Sequence, residues 1–130
     1  MNDRPSDERC AEPLRLFVYG TLKPRNEVDA ASQGFEADAV RGTLYDLGPF
    51  PGLFDCGDPS AGWVEGFVRP VDIAELTQRL DPYEGVDEGM FARVRTTTRE
   101  GLLAWVYVFA RPLPSQAVGP LDSWTPRDLD

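Results

Sequence analysis

At 130 residues, with 42% apolar side chains and 11% Phe, Trp and Tyr, the chain has the size and buriable surface of one domain, with no need of disulfides or structural metal. Its formal net charge of −9, with the basic residues scattered, repels phosphate backbones and anionic membranes, so neither nucleic acid nor a membrane is expected as a partner. The chain contains no histidine, which excludes Ser-His-Asp and Cys-His catalysis and His-ligated zinc; Lys23 is the only lysine and arginine keeps its proton, so acid–base chemistry falls to a carboxylate, that lysine or a tyrosine.

Residues 1–13 are charged and proline-containing, and read as a disordered lead-in to a domain spanning 14–125, with 126–130 as a tail. The N-terminal stretch lacks a signal peptide's apolar region, and no apolar run approaches the roughly 18 residues of a spanning helix, so a cytoplasmic location is expected. Cys10 and Cys56 are then free thiols, a single bridge between them being the alternative.

Leu14 to Tyr19 has the aromatic and β-branched content of a short interior strand stopped by Gly20, and a polar loop with Pro24 follows. Val28 to Gln33 has room for a helical turn or two. Ala39 to Leu47 reads as one strand, ended by a rigid turn at Gly48-Pro49-Phe50-Pro51-Gly52. Trp63 to Val71 is a further strand, with Gly66 marking a bulge or a barrel corner and Pro70 its end. Asp72 and Glu75 make a capping-box-like helix start, after which Ile73, Leu76 and Leu80 share a face; Pro82 predicts a stop at Leu80 or Asp81. A hairpin follows, Phe91 to Thr98 and Leu102 to Ala110, joined through Arg99-Glu100-Gly101. Its second strand is apolar on both faces, as in a central strand covered on both sides. Residues 111–130 read as an irregular tail pinned by Trp124. Short strands, one good helix and many Gly and Pro turns predict an α+β domain with a curled or closed sheet.

Four segments in this order resemble the gamma-glutamylcyclotransferase-like (AIG2-like) family: Phe17-Val18-Tyr19-Gly20-Thr21-Leu22-Lys23; Gly42-Thr43-Leu44-Tyr45-Asp46-Leu47 running into Pro51-Gly52-Leu53; Val64-Glu65-Gly66-Phe67-Val68; and Leu80-Asp81-Pro82-Tyr83-Glu84-Gly85. The strand Trp105 to Val108 and Trp124 also match. The resemblance implies a compact mixed β-barrel with one or two short helices, and a reaction in which the α-amino group of a γ-glutamyl compound attacks its own γ-carbonyl, forming 5-oxoproline and releasing an amine. It implies Glu84 as the proton carrier and Tyr19, Gly20, Thr21 and Leu22 as the loop that grips the glutamyl end. Phe91, Arg93 and Tyr107 are further pocket candidates. Phe91 stands where many members have a tyrosine, and Pro24-Arg25 replaces a more open stretch, both bearing on specificity.

The chemistry is consistent with those roles. An α-ammonium must lose a proton before it attacks, and the leaving nitrogen must gain one, so a single carboxylate can serve as base and then acid provided burial raises its pKa from about 4.3. Gly20 permits close backbone approach, and no metal or cofactor is called for. On the residues alone, Tyr19-Gly20 reads first as a strand end with a turn glycine, and Glu84 with Asp81, Asp87 and Glu88 as a solvated acidic loop, with a weak Ca²⁺ or Mg²⁺ site last because no regular oxygen-ligand spacing is present. Trp105, Tyr107 and Phe109 can be core or pocket. Arg93 can pair with an acid or a substrate carboxylate, or stand exposed. The expected partner is a small γ-glutamyl substrate, acted on by a monomer or a homodimer; a non-catalytic module that binds a small carboxylate and a hydrolase that cuts γ-glutamyl bonds with water are the other readings.

Overall fold

The structure, a computed structural model, describes residues 14–20, 23 and 32–123. Eight strands form two sheets: β1 (Arg15–Val18), β2 (Glu36–Arg41), β5 (Trp63–Pro70), β6 (Phe91–Thr97) and β7 (Leu103–Phe109) make one, in the order β2-β5-β1-β7-β6, and β3 (Thr43–Asp46), β4 (Pro51–Phe54) and β8 (Val118–Leu121) make the other, in the order β4-β3-β8. Among the described residues a helix, α1, spans residues 73–83 between β5 and β6, and a 3₁₀ turn (Val86–Glu88) follows it.

β1 is the centre of the large sheet, antiparallel to β5 and parallel to β7. Its alternation explains the layering. Phe17 and Tyr19 join Leu44, Leu53 and Val106 in the core beneath the small sheet, whereas Leu16 and Val18 join Leu76, Leu80 and Tyr107 in the core beneath α1. The sheet is therefore apolar on both faces, as β7 predicts: Ala104 and Val106 face one core and Tyr107 the other. The α+β class holds, but the barrel does not close. β2 and β6 are the edges of the large sheet, and the tip of the β6–β7 hairpin reaches β2 through only two hydrogen bonds, from Arg99 N to Ala39 O (2.8 Å) and from Glu100 N to the buried Asp38 Oδ1 (3.2 Å). Two bonds tie the edges without making a ladder.

Four local expectations are corrected. The single strand over Ala39 to Leu47 is two, broken at Gly42, whose missing side chain lets the chain cross between sheets; a Cβ there would lie 2.7 Å from Leu53 Cδ1 and 3.0 Å from Phe54 O. The turn over 48–52 is shorter than expected, because Pro51 and Gly52 open β4, an edge strand whose first residue needs no N–H. Gly66 marks no bulge: β2 pairs with β5 in unbroken register past it, and its Cβ would lie 2.3 Å from Val18 O, so glycine is there to let β5 approach β1. Part of the expected irregular C-terminal tail is strand β8. Cys10, Trp124 and most of the expected turn over Val28 to Gln33 lie outside the described residues.

α1 begins as the capping residues require, with Asp72 Oδ1 accepting from Glu75 N at 2.8 Å, but it runs past the expected stop. Ile73–Glu75 is α-helical, Leu76–Leu80 is π-helical and Asp81–Tyr83 is α-helical again. Asp81 N–H donates to Leu76 O, five residues back, and this wider turn ahead of Pro82 gives room to a ring that would clash in a regular helix and that has no N–H to satisfy. Leu76 and Leu80 are fully buried, while Ile73, at the first position of the helix, is left 49% exposed and does not share their buried face.

Candidate functional site

A cavity of about 420 Å³ opens where β1 ends, in the range of small-molecule sites. Its walls come from separate parts of the chain: Val18, Tyr19 and Gly20 from β1 and its exit, Pro49 and Phe50 from the turn between β3 and β4 and Pro51 from the start of β4, Pro82 to Gly85 from the end of α1, and Glu88, Met90, Phe91 and Tyr107 from the segment after it and from β7. Gly20 has a packing reason for being glycine, since a Cβ would lie 2.7 Å from Pro51 Cγ. Phe91 packs edge-on against Phe50 (5.7 Å between ring centroids) and Phe109 (5.4 Å), which makes one wall aromatic.

Glu84 is set by how α1 ends. Its backbone has φ −85° and ψ 0°, its N–H donates to Leu80 O at 2.9 Å, and Gly85 then takes the left-handed conformation (φ 70°) that stops the helix. The side chain thereby lines the cavity. Its carboxylate has no hydrogen-bond partner among the described residues, and burial pushes its pKa up to about 7 from an ordinary 4.5.

The two tyrosines differ. Tyr19 Oη donates to Tyr107 O (2.6 Å) and accepts from Leu53 N (3.3 Å), so this hydroxyl joins β1 to β7 and β4. Tyr107 Oη donates to Asp81 Oδ1 at 2.6 Å. Burial pushes both phenols above their ordinary range, helped in Tyr107 by the bond to Asp81. Asp81 also receives Arg93, Nε to Oδ1 at 2.8 Å and Nη2 to Oδ2 at 3.0 Å, and the guanidinium lies 4.3 Å from the centre of the Trp105 ring. Burial pushes the Asp81 carboxyl up, but the bonds from Arg93 and Tyr107 and the charge of Arg93 outweigh it and hold the group below its ordinary value.

Of the residues expected at the site, Glu84, Tyr19, Gly20, Phe91 and Tyr107 line one cavity. Thr21 and Leu22 lie outside the described residues. Arg93 is not among the lining residues: it pairs with Asp81, the acid-pairing alternative. The acidic cluster disperses, with Asp81 turned to Arg93, Glu84 and Glu88 on the cavity and Asp87 exposed; no group of three or more metal-ligating side chains forms among the described residues. Lys23 does not line the cavity; its N–H donates to Gly20 O (3.0 Å), and burial pushes its ammonium pKa down. Sequence reasoning missed Phe50, whose signal was an aromatic between two prolines, and Asp81, whose partners are 12 and 26 residues away and leave no local pattern.

Comparison with known proteins bears on the whole of this architecture. The family described as "Gamma-glutamyl cyclotransferase, AIG2-like" matches residues 16–126. The gamma-glutamylcyclotransferase family protein YtfP of Escherichia coli K12 is 33% identical over 121 residues, covering 88% of this chain and 99% of its own, and the ytfP protein of Citrobacter rodentium is 32% identical over 120 residues, covering 88% and 98%. Among solved structures, an AIG2-like protein of Mus musculus superposes with a TM-score of 0.65 at 23% identity, covering 88% of this chain and 90% of its own, and YkqA of Bacillus subtilis with 0.57 at 22%, covering 75% and 36%. The two structures share the fold. With a family match over nearly all of its described residues and full-length relatives at one-third identity, the chain belongs to the AIG2-like gamma-glutamyl cyclotransferase family.

Proposed function

We propose that this protein is a cytoplasmic gamma-glutamylcyclotransferase-type enzyme that converts a γ-glutamyl amine or γ-glutamyl amino acid to 5-oxoproline and the free amine, with Glu84 as base and then acid. The observation that carries the reading is the carboxylate of Glu84, on an aromatic- and proline-walled cavity, without a hydrogen-bond partner among the described residues and with its pKa raised to about 7. At neutral pH such a group is about half ionised. It takes a proton from the substrate α-ammonium, the freed amine attacks the γ-carbonyl carbon to form the five-membered ring, and Glu84 gives that proton to the departing nitrogen as its bond to that carbon breaks; the ring nitrogen then loses its second proton to the released amine, which departs as an ammonium, leaving the neutral lactam of 5-oxoproline. Nucleophile and electrophile belong to one molecule, so the cavity's main task is to hold the glutamyl chain bent into attack geometry. The exit of β1 at Tyr19 and Gly20 is the surface against which it bends, and Thr21 and Leu22 complete that grip. Among the described residues no helix is long and apolar enough to cross a membrane.

The test is release of 5-oxoproline from a panel of γ-glutamyl amines and dipeptides by the wild type and by Glu84→Gln, with product identity determined. The wild type is expected to form 5-oxoproline, and the variant to lose roughly 10²-fold or more of kcat. Glutamate as the product would make the protein a hydrolase. Ligand-induced thermal stabilisation without turnover would make it a binding module.

A further inference from the structure

The cavity carries a second carboxylate, Glu88, that the proposed reaction does not use. Its place is fixed by main-chain bonds. The 3₁₀ turn Val86–Glu88 lies between two left-handed glycines, Gly85 (φ 70°) and Gly89 (φ 75°), and Glu88 N and Met90 N both donate to Gly85 O at 3.1 Å. Arg111 Nη2 adds a bond to the backbone Glu88 O at 3.0 Å. The turn brings the Glu88 side chain back toward Gly85, where an added Cβ would lie 3.5 Å from Glu88 Oε1 and 3.2 Å from Met90 Cβ. Glu88 and Met90 thus stand beside the residue that follows Glu84, and Phe91 carries the apolar wall on to Phe50.

The cavity is graded in depth. Tyr19 and Tyr107 are buried, Glu84 is half-buried, and Tyr83 (64%) and Glu88 are exposed. A γ-glutamyl chain bent against Tyr19 and Gly20, with its γ-carbonyl at Glu84, therefore directs its leaving amine to the end where Tyr83 and Glu88 stand.

We infer that Glu88 is a specificity-determining residue that bars leaving amines bearing a carboxylate, so that the enzyme takes γ-glutamyl amides of carboxylate-free amines in preference to γ-glutamyl amino acids. The inference rests on the proposed function, which sets the direction of the substrate in the cavity. A carboxylate on the leaving amine would be brought toward the carboxylate of Glu88 and against Met90 and Phe91, which give it neither a charge nor a donor side chain. Among the described residues the charged side chains on the cavity are Glu84 and Glu88. Two like charges about 4 Å apart disfavour association about fivefold in bulk water, and more where the cavity excludes water. The net charge of −9 repels an anionic substrate wherever it binds, so it is the effect of removing Glu88, not the preference by itself, that isolates this residue.

The experiment measures kcat/KM for γ-glutamyl-phenylalaninamide and γ-glutamyl-phenylalanine, which differ only in a neutral carboxamide in place of a carboxylate, in the wild type and in Glu88→Gln at low salt. The wild type is expected to prefer the amide about fivefold or more, and Glu88→Gln to cut that preference about twofold or more. A variant that merely loosened the end of α1 would weaken both conjugates alike and leave their ratio where it was. A wild-type ratio near one, or a preference that Glu88→Gln leaves unchanged, overturns the inference. The same pair without the α-amino group, N-glutaryl-phenylalaninamide and N-glutaryl-phenylalanine, cannot cyclise to 5-oxoproline, and isothermal titration calorimetry of these with both proteins reads the selection from binding alone. A Glu88-dependent binding preference in a protein that makes no 5-oxoproline would keep the assignment of Glu88 and discard the activity. Equal kcat/KM for 5-oxoproline formation from both conjugates would keep the activity and overturn the assignment, and neither turnover nor binding of any of these compounds would overturn both.

Discussion

If burial has moved the Glu84 carboxyl from 4.5 to about 7, the fold is destabilised by that carboxylate whenever it is ionised, and Glu84→Gln should stabilise the protein at alkaline pH. The sign follows from proton uptake. A carboxyl whose pKa is higher folded than unfolded binds its proton more tightly in the native state, so its contribution favours folding at low pH and is lost as pH rises through the window from 4.5 to about 7. The full difference of 2.5 pH units, at about 1.4 kcal/mol each, gives an upper bound of about 3.5 kcal/mol. Glu84 borders an open cavity, so solvent screening reduces this to about 2 kcal/mol. For a chain of this size that is a rise of roughly 5 to 10 °C in Tm for Glu84→Gln over wild type at pH 8, shrinking toward zero at pH 4, where protonated glutamic acid and glutamine are near-isosteres. Differential scanning calorimetry of both proteins across that range measures the gap directly. A Tm difference that is the same at pH 4 and pH 8 would refute the burial argument, because a pH-independent effect cannot come from a titration.

The acid limb of kcat/KM for 5-oxoproline formation should bend at about pH 7, since the base must be ionised in the free enzyme; an acid limb bending near pH 4.5 would mean that the acting carboxylate is solvated. Gly66→Ala should destabilise the domain by about 3 kcal/mol or more in urea unfolding, because the added Cβ would meet Val18 O at 2.3 Å and Phe17 Cζ at 2.7 Å and force β5 off β1; a loss below about 1 kcal/mol, the ordinary cost of a surface change, would show that the strands can part there.

What could be read from the sequence is what is encoded locally. β1, β5, the β6–β7 hairpin and the Asp72 cap are each specified by periodicity or by side chains within three residues of one another, and each was placed to within one or two residues. The small sheet was mostly invisible because β4 and β8 are four-residue edge strands carrying Pro51 and Pro120, residues that read as turn signals, and because Gly42 redirects the chain without any change in composition. The helix extends past Pro82 because a single five-residue hydrogen-bonded turn reconciles proline with helix, which a rule based on regular helices cannot anticipate. At the site, Glu84, Tyr19 and Gly20 could be singled out because a family pattern connects segments that are far apart in the chain. The bonds of Asp81 to Arg93 and Tyr107 were not legible, since neither spacing nor residue type marks a pair made across a fold.

The absence of histidine gives these observations a common physical logic. A protein without imidazole can obtain a group that titrates near neutrality by moving a carboxylate out of water, and a carboxylate rises only where donors and opposite charges are kept away from it. No single element can provide such a setting. The walls around Glu84 come from the exit of β1, a proline-bounded turn of the small sheet and the start of β6, so the cavity requires the large sheet to be covered on both faces, which its apolar residues on both sides permit. Asp81, three residues before Glu84, has the opposite setting: it accepts from Tyr107 and Arg93, which hold it below its ordinary value. Two carboxylates one helical turn apart are thus held in opposite protonation tendencies, one lowered by its donors and one raised by burial, and under the proposed function it is the buried one that carries the proton at neutral pH in a chain without histidine.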